Sequence, residues 1–221
     1  MSTAIKHTLR VRLYRPLIRA CFRFMYRVLT HMNIEGMENI PPRSGYLLTI
    51  NHLSYYDPPL PLSFWPYAPE ALGAEKAMHN NGIIGLVMRW YGTFPVKRDG
   101  DDRAALRTAL KILQNNLPLL IAPEGTRHPE GLRDPQHGAS FLAMKTGVPL
   151  IPVAISGTAD IFSKLRKGSK QTIGMVIGKP YNLPSLPNTT RRDAIRIHTD
   201  YIMQKIADLL PDHHRGMYKK Q

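Results

Sequence analysis

The sequence predicts an α/β fold, a mixed sheet flanked by helices, with an N-terminal basic amphipathic helical segment ahead of it. Two observations carry that prediction. Beyond the turn at residues 41–45, short apolar runs alternate with stretches of helical periodicity, as in an α/β domain. Ahead of the turn, residues 1–34 contain no acidic side chain but include Lys6, Arg10, Arg12, Arg15, Arg19, Arg23 and Arg27, half of a formal net charge of +14.

In that first segment Arg12, Arg15, Arg19, Arg23 and Arg27 fall within one third of a helical wheel, and Leu13, Leu17, Ile18, Cys21, Phe24, Met25, Val28 and Leu29 take the other side. Pro16 fits if it occupies the first turn of the main helix. Two readings stand together: a surface helix packed on the domain, and an in-plane membrane helix whose arginines meet lipid phosphates while its apolar side enters the acyl region. Residues 1–40 are read as the docking segment and 41–221 as the main domain.

Strands are expected over 46–51, 72–75, 93–96, 119–122, 150–155 and 172–177, and helices over 82–91, 102–116, 138–146 and 191–210. The helix from Asp102 has acids at its start and Leu106, Leu110 and Leu113 at three- and four-residue spacings. Gly147 reads as the stop of the next helix, before the buried run V-P-L-I-P-V-A-I. The prolines in that run suggest an edge or irregular strand. Residues 58–69 read as a packed, proline-rich irregular segment, and 163–170 as a basic loop. Ile83, Ile84, Leu86, Val87 and Trp90 read either as packing or as the wall of an apolar cavity.

Composition narrows the function. A chain with 43% hydrophobic and 21% charged residues has ordinary globular proportions, while a pI near 10.1 points to an anionic partner. The lone Cys21 excludes an internal disulfide or a cysteine-rich zinc site, and no H-E-x-x-H pattern accompanies the nine histidines. No metal site is expected. An apolar run long enough to span a bilayer is missing, and arginines interrupt what would have to be the core of a signal peptide. A nucleic-acid arm would not carry so wide an apolar face, so no nucleic-acid partner is expected.

Four motifs carry the chemistry. N-H-L-S-Y-Y-D covers Asn51 to Asp57, G-T-F-P-V-K-R covers Gly92 to Arg98, P-E-G-T-R covers Pro123 to Arg127 and V-P-L-I-P-V covers Val148 to Val153. In order and spacing they resemble the glycerophospholipid acyltransferase family, particularly 1-acylglycerol-3-phosphate acyltransferases, over about residues 51–154. The residues agree with that chemistry. Acyl transfer from a thioester to an alcohol needs a base for the hydroxyl proton and compensation for developing charge. His52 is suited to be the base, with Asp57 holding the correct tautomer. Covalent catalysis through Ser54 is a lesser alternative. Lys97, Arg98 and Arg127 supply positive charge for a phosphate.

The resemblance implies an acceptor site built from Gly92, Arg98, Glu124, Gly125, Thr126 and Arg127, with Lys97 shared between that role and a surface ion pair. Glu124 is expected to orient Arg127 or to bond a glycerol hydroxyl, and Gly125 to permit close backbone approach. The resemblance further implies a lysophospholipid acceptor, acyl carrier protein or coenzyme A thioester as donor, no cofactor, and association with an anionic phospholipid membrane at its cytoplasmic face. One departure stands out. Family members commonly carry Phe-Lys-x-Gly after the third motif, whereas this chain has Pro135-Gln136-His137-Gly138. The missing lysine leaves other acceptors in view: glycerol-3-phosphate, another lysophospholipid or a lyso-aminolipid. A non-catalytic lipid-binding protein is the reading from another class.

Overall fold

The computed structural model describes residues 5, 7–79, 82–96 and 102–219. Helix α1 (Leu9–Leu29) starts at Thr8, whose hydroxyl accepts from the Val11 N–H, and leads directly into strand β1 (Thr30–Glu35). Strand β2 (Leu47–Ile50), helix α2 (Pro59–Phe64), strand β3 (Glu70–Ala74), and helices α3 (Glu75–His79) and α4 (Ile83–Tyr91) follow. Next come strand β4 (Phe94–Val96), helix α5 (Asp102–Gln114), strand β5 (Leu119–Ile121) and helix α6 (Gly138–Thr146). Strand β6 (Leu150–Ser156), helix α7 (Ile161–Arg166), strand β7 (Gln171–Ile177) and helix α8 (Arg191–Ala207) complete the order.

The strands form one sheet in the order β1-β7-β6-β2-β5-β3-β4, parallel at every pairing except the antiparallel β6–β7 pair. Side chains alternate between its faces. Leu48, Ile50, Ile151, Val153, Ile173 and Met175 join Tyr26, Leu60 and Trp65 in one buried cluster. Leu47, Leu119, Leu150 and Ala154 join Ile112, Leu142, Ile202 and Ile206 in another. The first cluster sits against α1 and α2, the second against α5, α6 and α8, which gives the mixed, helix-flanked sheet its three layers.

Three local expectations need correction. The helical segment expected over 1–40 stops at Leu29. There Thr30 leaves the helix and its hydroxyl donates back to the Tyr26 carbonyl at 2.6 Å. In β1, Thr30, Met32 and Ile34 turn inward, while His31, Asn33 and Glu35 are exposed, a period of two hidden inside the basic run.

The proline-bearing strand β6 is interior, not an edge, for it pairs with β2 on one side and β7 on the other. Pro152 is tolerated because its nitrogen lies on the β7 side, where that ladder ends. Gly178 N–H still donates to the Pro152 carbonyl at 2.9 Å, and pairing resumes only at the isolated Leu150–Tyr181 bridge. Part of the segment expected to be irregular, finally, is helix α2, with Pro59 at its start.

The largest difference concerns which face of α1 turns inward. Arg15, Arg19 and Arg23 point into the protein. Arg19 Nε donates to the Leu62 carbonyl (2.9 Å) and Arg23 Nη1 to that of Ser63 (3.1 Å), while Arg19 also reaches the Trp65 carbonyl. These are C-terminal carbonyls of α2, left without partners inside a helix of only six residues, and guanidinium groups satisfy them. Arg15 is 8% exposed. Its guanidinium donates to both oxygens of Glu70 (2.9 and 2.8 Å), and its Nε donates to the Tyr91 carbonyl (2.7 Å). Burial alone would raise the Glu70 carboxyl, but hydrogen bonds from His7 and Arg15 and their charge hold it below its ordinary range. Leu9, Leu13, Leu17, Phe24 and Val28 are exposed instead.

Candidate active site

Strand β2 lies between β6 and β5, and all three run in the same direction. The chain visits β5 on one flank of β2 before crossing to β6 on the other, so their carboxyl ends form a crevice suited to ligands. The first motif follows β2, the third follows β5, and residues 157 and 158 follow β6.

The turn after β2 is fastened at several points. Asn51 is fully buried, and its amide pairs with Ile155 in β6. Nδ2 donates to the Ile155 carbonyl (2.8 Å) and Oδ1 accepts from its N–H (2.7 Å). It thus braces the turn across the sheet and not locally. His52 N–H donates to Glu124 Oε1 at 2.9 Å, and the His52 carbonyl accepts from the His128 N–H at 2.8 Å. The backbone on both sides of the imidazole is therefore held by the loop after β5.

The imidazole itself is set by Asp57, with Nδ1 lying 3.0 Å from Asp57 Oδ2. Asp57 is fully buried. Its Oδ2 also accepts from the Ser54 N–H (2.6 Å), and its Oδ1 accepts from the Thr158 hydroxyl and, at 3.4 Å, from the Ser54 hydroxyl. A carboxylate only accepts, so Nδ1 carries the proton and Nε2 keeps its lone pair for another group. An imidazole held in this way can take a proton from an alcohol at Nε2. Ser54 is committed to its own turn, donating to Asp57 and accepting from the Tyr56 N–H at 3.1 Å. From α1, Tyr26 Oη donates to the Tyr56 carbonyl at 2.6 Å, which ties that helix to the same turn.

In the third motif Glu124 is 3% exposed, and both oxygens of its carboxylate are taken by backbone N–H groups. Oε1 takes the His52 N–H and Oε2 the Arg133 N–H at 3.3 Å. Burial pushes its carboxyl up to about 7, against the opposing pull of those two backbone donors and with a further upward push from Asp57. Gly125 has φ near +67°, a left-handed conformation that disfavours any side chain, although only Gln136 Cγ (3.3 Å) would meet an added Cβ. Within the protein, it is the backbone conformation that this position requires. Thr126 is exposed, its Oγ1 2.9 Å from His128 Nε2, and the Arg127 guanidinium lies over the Tyr55 ring at 3.3 Å from the centroid.

The structure therefore gathers His52, Asp57, Glu124, Gly125, Thr126 and Arg127 around one rim. Gly92 has a different setting. It ends α4 in a left-handed conformation, and a Cβ there would sit 2.7 Å from Val11 Cγ1 and 3.0 Å from Arg15 Nη2, so it lets α1 approach. Lys97 and Arg98 lie outside the described residues. Two members of the site escaped the sequence reading, Thr158 and the His128 N–H. Thr158 is fully buried yet 101 residues from Asp57, with no spacing rule to link them. Among the described residues no group of three or more His, Cys, Asp or Glu side chains is placed to hold a metal ion.

Comparison with known proteins is consistent with this geometry. The family described as Acyltransferase matches residues 31–156. The 1-acyl-sn-glycerol-3-phosphate acyltransferase of Bacillus subtilis is 25% identical over 179 residues, 80% of this chain and 87% of the relative. The chloroplastic enzyme of the same name, LPAT1, from Arabidopsis thaliana is 31% identical over 67% of this chain, which spans 43% of that longer protein. Among solved structures, the 1-acyl-sn-glycerophosphate acyltransferase PlsC of Thermotoga maritima superposes with a TM-score of 0.65 at 24% identity, covering 90% of this chain and 81% of its own, a likeness of fold.

Proposed function

The chain belongs to the acyltransferase family, and on that premise we propose that it moves a fatty acyl group from a thioester donor to the sn-2 hydroxyl of 1-acylglycerol-3-phosphate, giving phosphatidic acid. The observation that carries the reading is the His52 imidazole, braced at Nδ1 by a buried carboxylate, which leaves Nε2 to serve the acceptor hydroxyl. The names of the relatives supply the acceptor.

In this mechanism Nε2 removes the proton as the hydroxyl oxygen attacks the thioester carbonyl. The tetrahedral intermediate collapses, the carbon–sulfur bond breaks, and the departing thiolate takes the proton back from Nε2. No protein nucleophile, metal or redox cofactor enters the sequence. Arg127 meets the acceptor phosphate, leaving its seat on Tyr55 to bind in a bidentate manner, with Thr126 beside it and Lys97 and Arg98 as further ligands. The donor carrier is acyl carrier protein or coenzyme A, both anionic and suited to a basic surface.

Membrane association forms part of the proposal. Residues 1–40 dock on the cytoplasmic face of an anionic bilayer and 41–221 form the catalytic domain. No helix among the described residues is long and apolar enough to cross a membrane, and the exposed apolar stripe of α1 fits a helix lying in the interface. The basic side chains left for lipid phosphates are exposed Arg10, Arg12 and Arg27, since Arg15, Arg19 and Arg23 serve the protein interior.

One observation favours a second acceptor. Gln136, standing where the resemblance leads one to expect lysine, donates its backbone N–H to the Pro123 carbonyl at 2.7 Å and packs beside Gly125. An uncharged side chain next to this loop suits an acceptor with less negative charge, such as another lysophospholipid or a lyso-aminolipid. The test offers each acceptor in anionic vesicles with both thioester donors, following thiol release together with lipid product. The proposal expects phosphatidic acid from the wild type, none from His52→Ala, and a raised KM for the phosphorylated acceptor in Arg127→Ala. Turnover restricted to another acceptor would move the assignment to that lipid. Silence with every acceptor would favour a lipid-binding protein.

A further inference from the structure

Helix α1 is not the only element that turns apolar side chains outward. In the first turn of α4, Ile83 is 77% exposed and Ile84 is 46% exposed, beside 58% for Leu13 and 63% for Leu17 on α1. The two helices pack together, and their outer surfaces meet at a stacked pair. The rings of Tyr14 and Trp90 lie 4.6 Å apart with an interplanar angle of 22°. Ile83 precedes Trp90 by seven residues, which places the two within about 20° of each other around the helix. The apolar surface thus runs from Leu13 and Leu17, across Tyr14 and Trp90, to Ile83. Exposed Arg10 and Arg12 lie on the α1 side of it, in a segment without acidic residues.

We propose that Ile83 and Ile84 form a second insertion point into an anionic bilayer, and that together with α1 they fix the orientation of the protein on the membrane. The inference rests on the membrane reading given above and deepens it. A single helix lying in the interface is a line of contact about which the domain can roll. A second contact off that line removes the rotation. Both elements lead to the site: α1 through the Tyr26–Tyr56 hydrogen bond, and α4 through Gly92 into β4, after which the chain continues to Lys97 and Arg98. The occupant is a bilayer because the surface is exposed, apolar and bordered by Arg10 and Arg12 on its α1 side, the combination that suits anionic headgroups over acyl chains.

The test uses the full chain with vesicles of phosphatidylcholine containing phosphatidylglycerol, prepared with and without brominated acyl chains. Of the two tryptophans, Trp65 is buried and Trp90 lies on the proposed surface, so Trp90→Phe identifies the signal. Brominated chains are expected to quench Trp90. Ile83→Ser combined with Ile84→Ser, at positions exposed enough to leave folding intact, is expected to lower vesicle partitioning about tenfold. Leu13→Ser with Leu17→Ser is the parallel variant for α1. If the α1 variant loses binding while the α4 variant partitions like the wild type, or if Trp90 in bound wild type is not quenched, the second insertion point is wrong and membrane docking by α1 stands. If the wild type binds no vesicle, both readings fail together.

Discussion

The turn around His52 and the helix α1 are both rich in polar side chains that the sequence marks as functional, yet the fold treats them in opposite ways. In the turn, the marked residues meet one another where the motif leads one to expect, and buried partners hold them from three strands. In α1 the marked face is turned inward, and the arginines become structural ligands of Glu70 and of the carbonyls of α2. A motif whose members must touch specifies its own geometry. A charge stripe does not, because a guanidinium satisfies orphan carbonyls as well as it satisfies lipid phosphates.

The sharpest way to break the comparison lies at the turn. Asp57→Asn keeps the shape but cannot act as a pure acceptor toward Nδ1–H, and kcat for thioester-dependent acyl transfer is expected to fall about 10³-fold with the fold intact by circular dichroism. A smaller loss than tenfold would remove Asp57 from the mechanism. On the other side, Arg15→Met leaves Glu70 buried without its main partner and is expected to cost about 3–5 kcal/mol in chemical denaturation. Arg12→Met, one turn away and exposed, should change stability by less than about 0.5 kcal/mol. Equal effects from the two would mean that the inward face is misassigned.

Glu124 sharpens the contrast, because its carboxyl is raised where that of Glu70 is lowered. A raised carboxyl favours its neutral form in the folded state. Its contribution is therefore fully present below the ordinary value of 4.5 and is lost as pH rises toward about 7. Over that window the wild type should lose up to about 3 kcal/mol relative to Glu124→Gln, with the difference flat above it. Denaturation of both proteins across pH 4–8 reads this directly, and a difference that does not vary with pH would show that Glu124 does not titrate there. The smallest effect on turnover is expected at Thr158. Replacing it by Val removes one donor to Asp57, worth about 1–3 kcal/mol, and should lower kcat about tenfold while Thr158→Ser restores most of it. Loss in the Ser variant as well would point to packing and not to the hydroxyl.

How much of this could be read from the chain depends on the range of the interaction concerned. Leu106, Leu110 and Leu113 announce α5, and Gly147 announces the end of α6, because periodicity and capping are local. His52 and Asp57 were legible as a pair because five positions and a turn bring them together. The interior position of β6 was not legible, since the cost of Pro152 depends on where the neighbouring ladder stops. Strand β1 was masked by the basic helix before it, with only Thr30, Met32 and Ile34 to mark its inner side. Glu124 was recognised as a site residue, yet its task of holding the His52 and Arg133 N–H groups is a long-range hydrogen-bonding fact that a five-residue motif does not contain.

The pairing of β1 with β7 sets a timetable. Thr30 lies opposite Gln171, so roughly 140 residues must leave the ribosome before the strand finds its place, a delay of several seconds to about half a minute at ordinary rates of synthesis. Throughout that interval α1 is translated, basic and apolar on one side, while the strand that moors it to the sheet has no neighbour. A membrane close to the ribosome is then available as a surface well before the body of the domain is. The waiting strand is safe company in the meantime, because its outer positions are His31, Asn33 and Glu35, which discourage pairing with strands of other nascent chains.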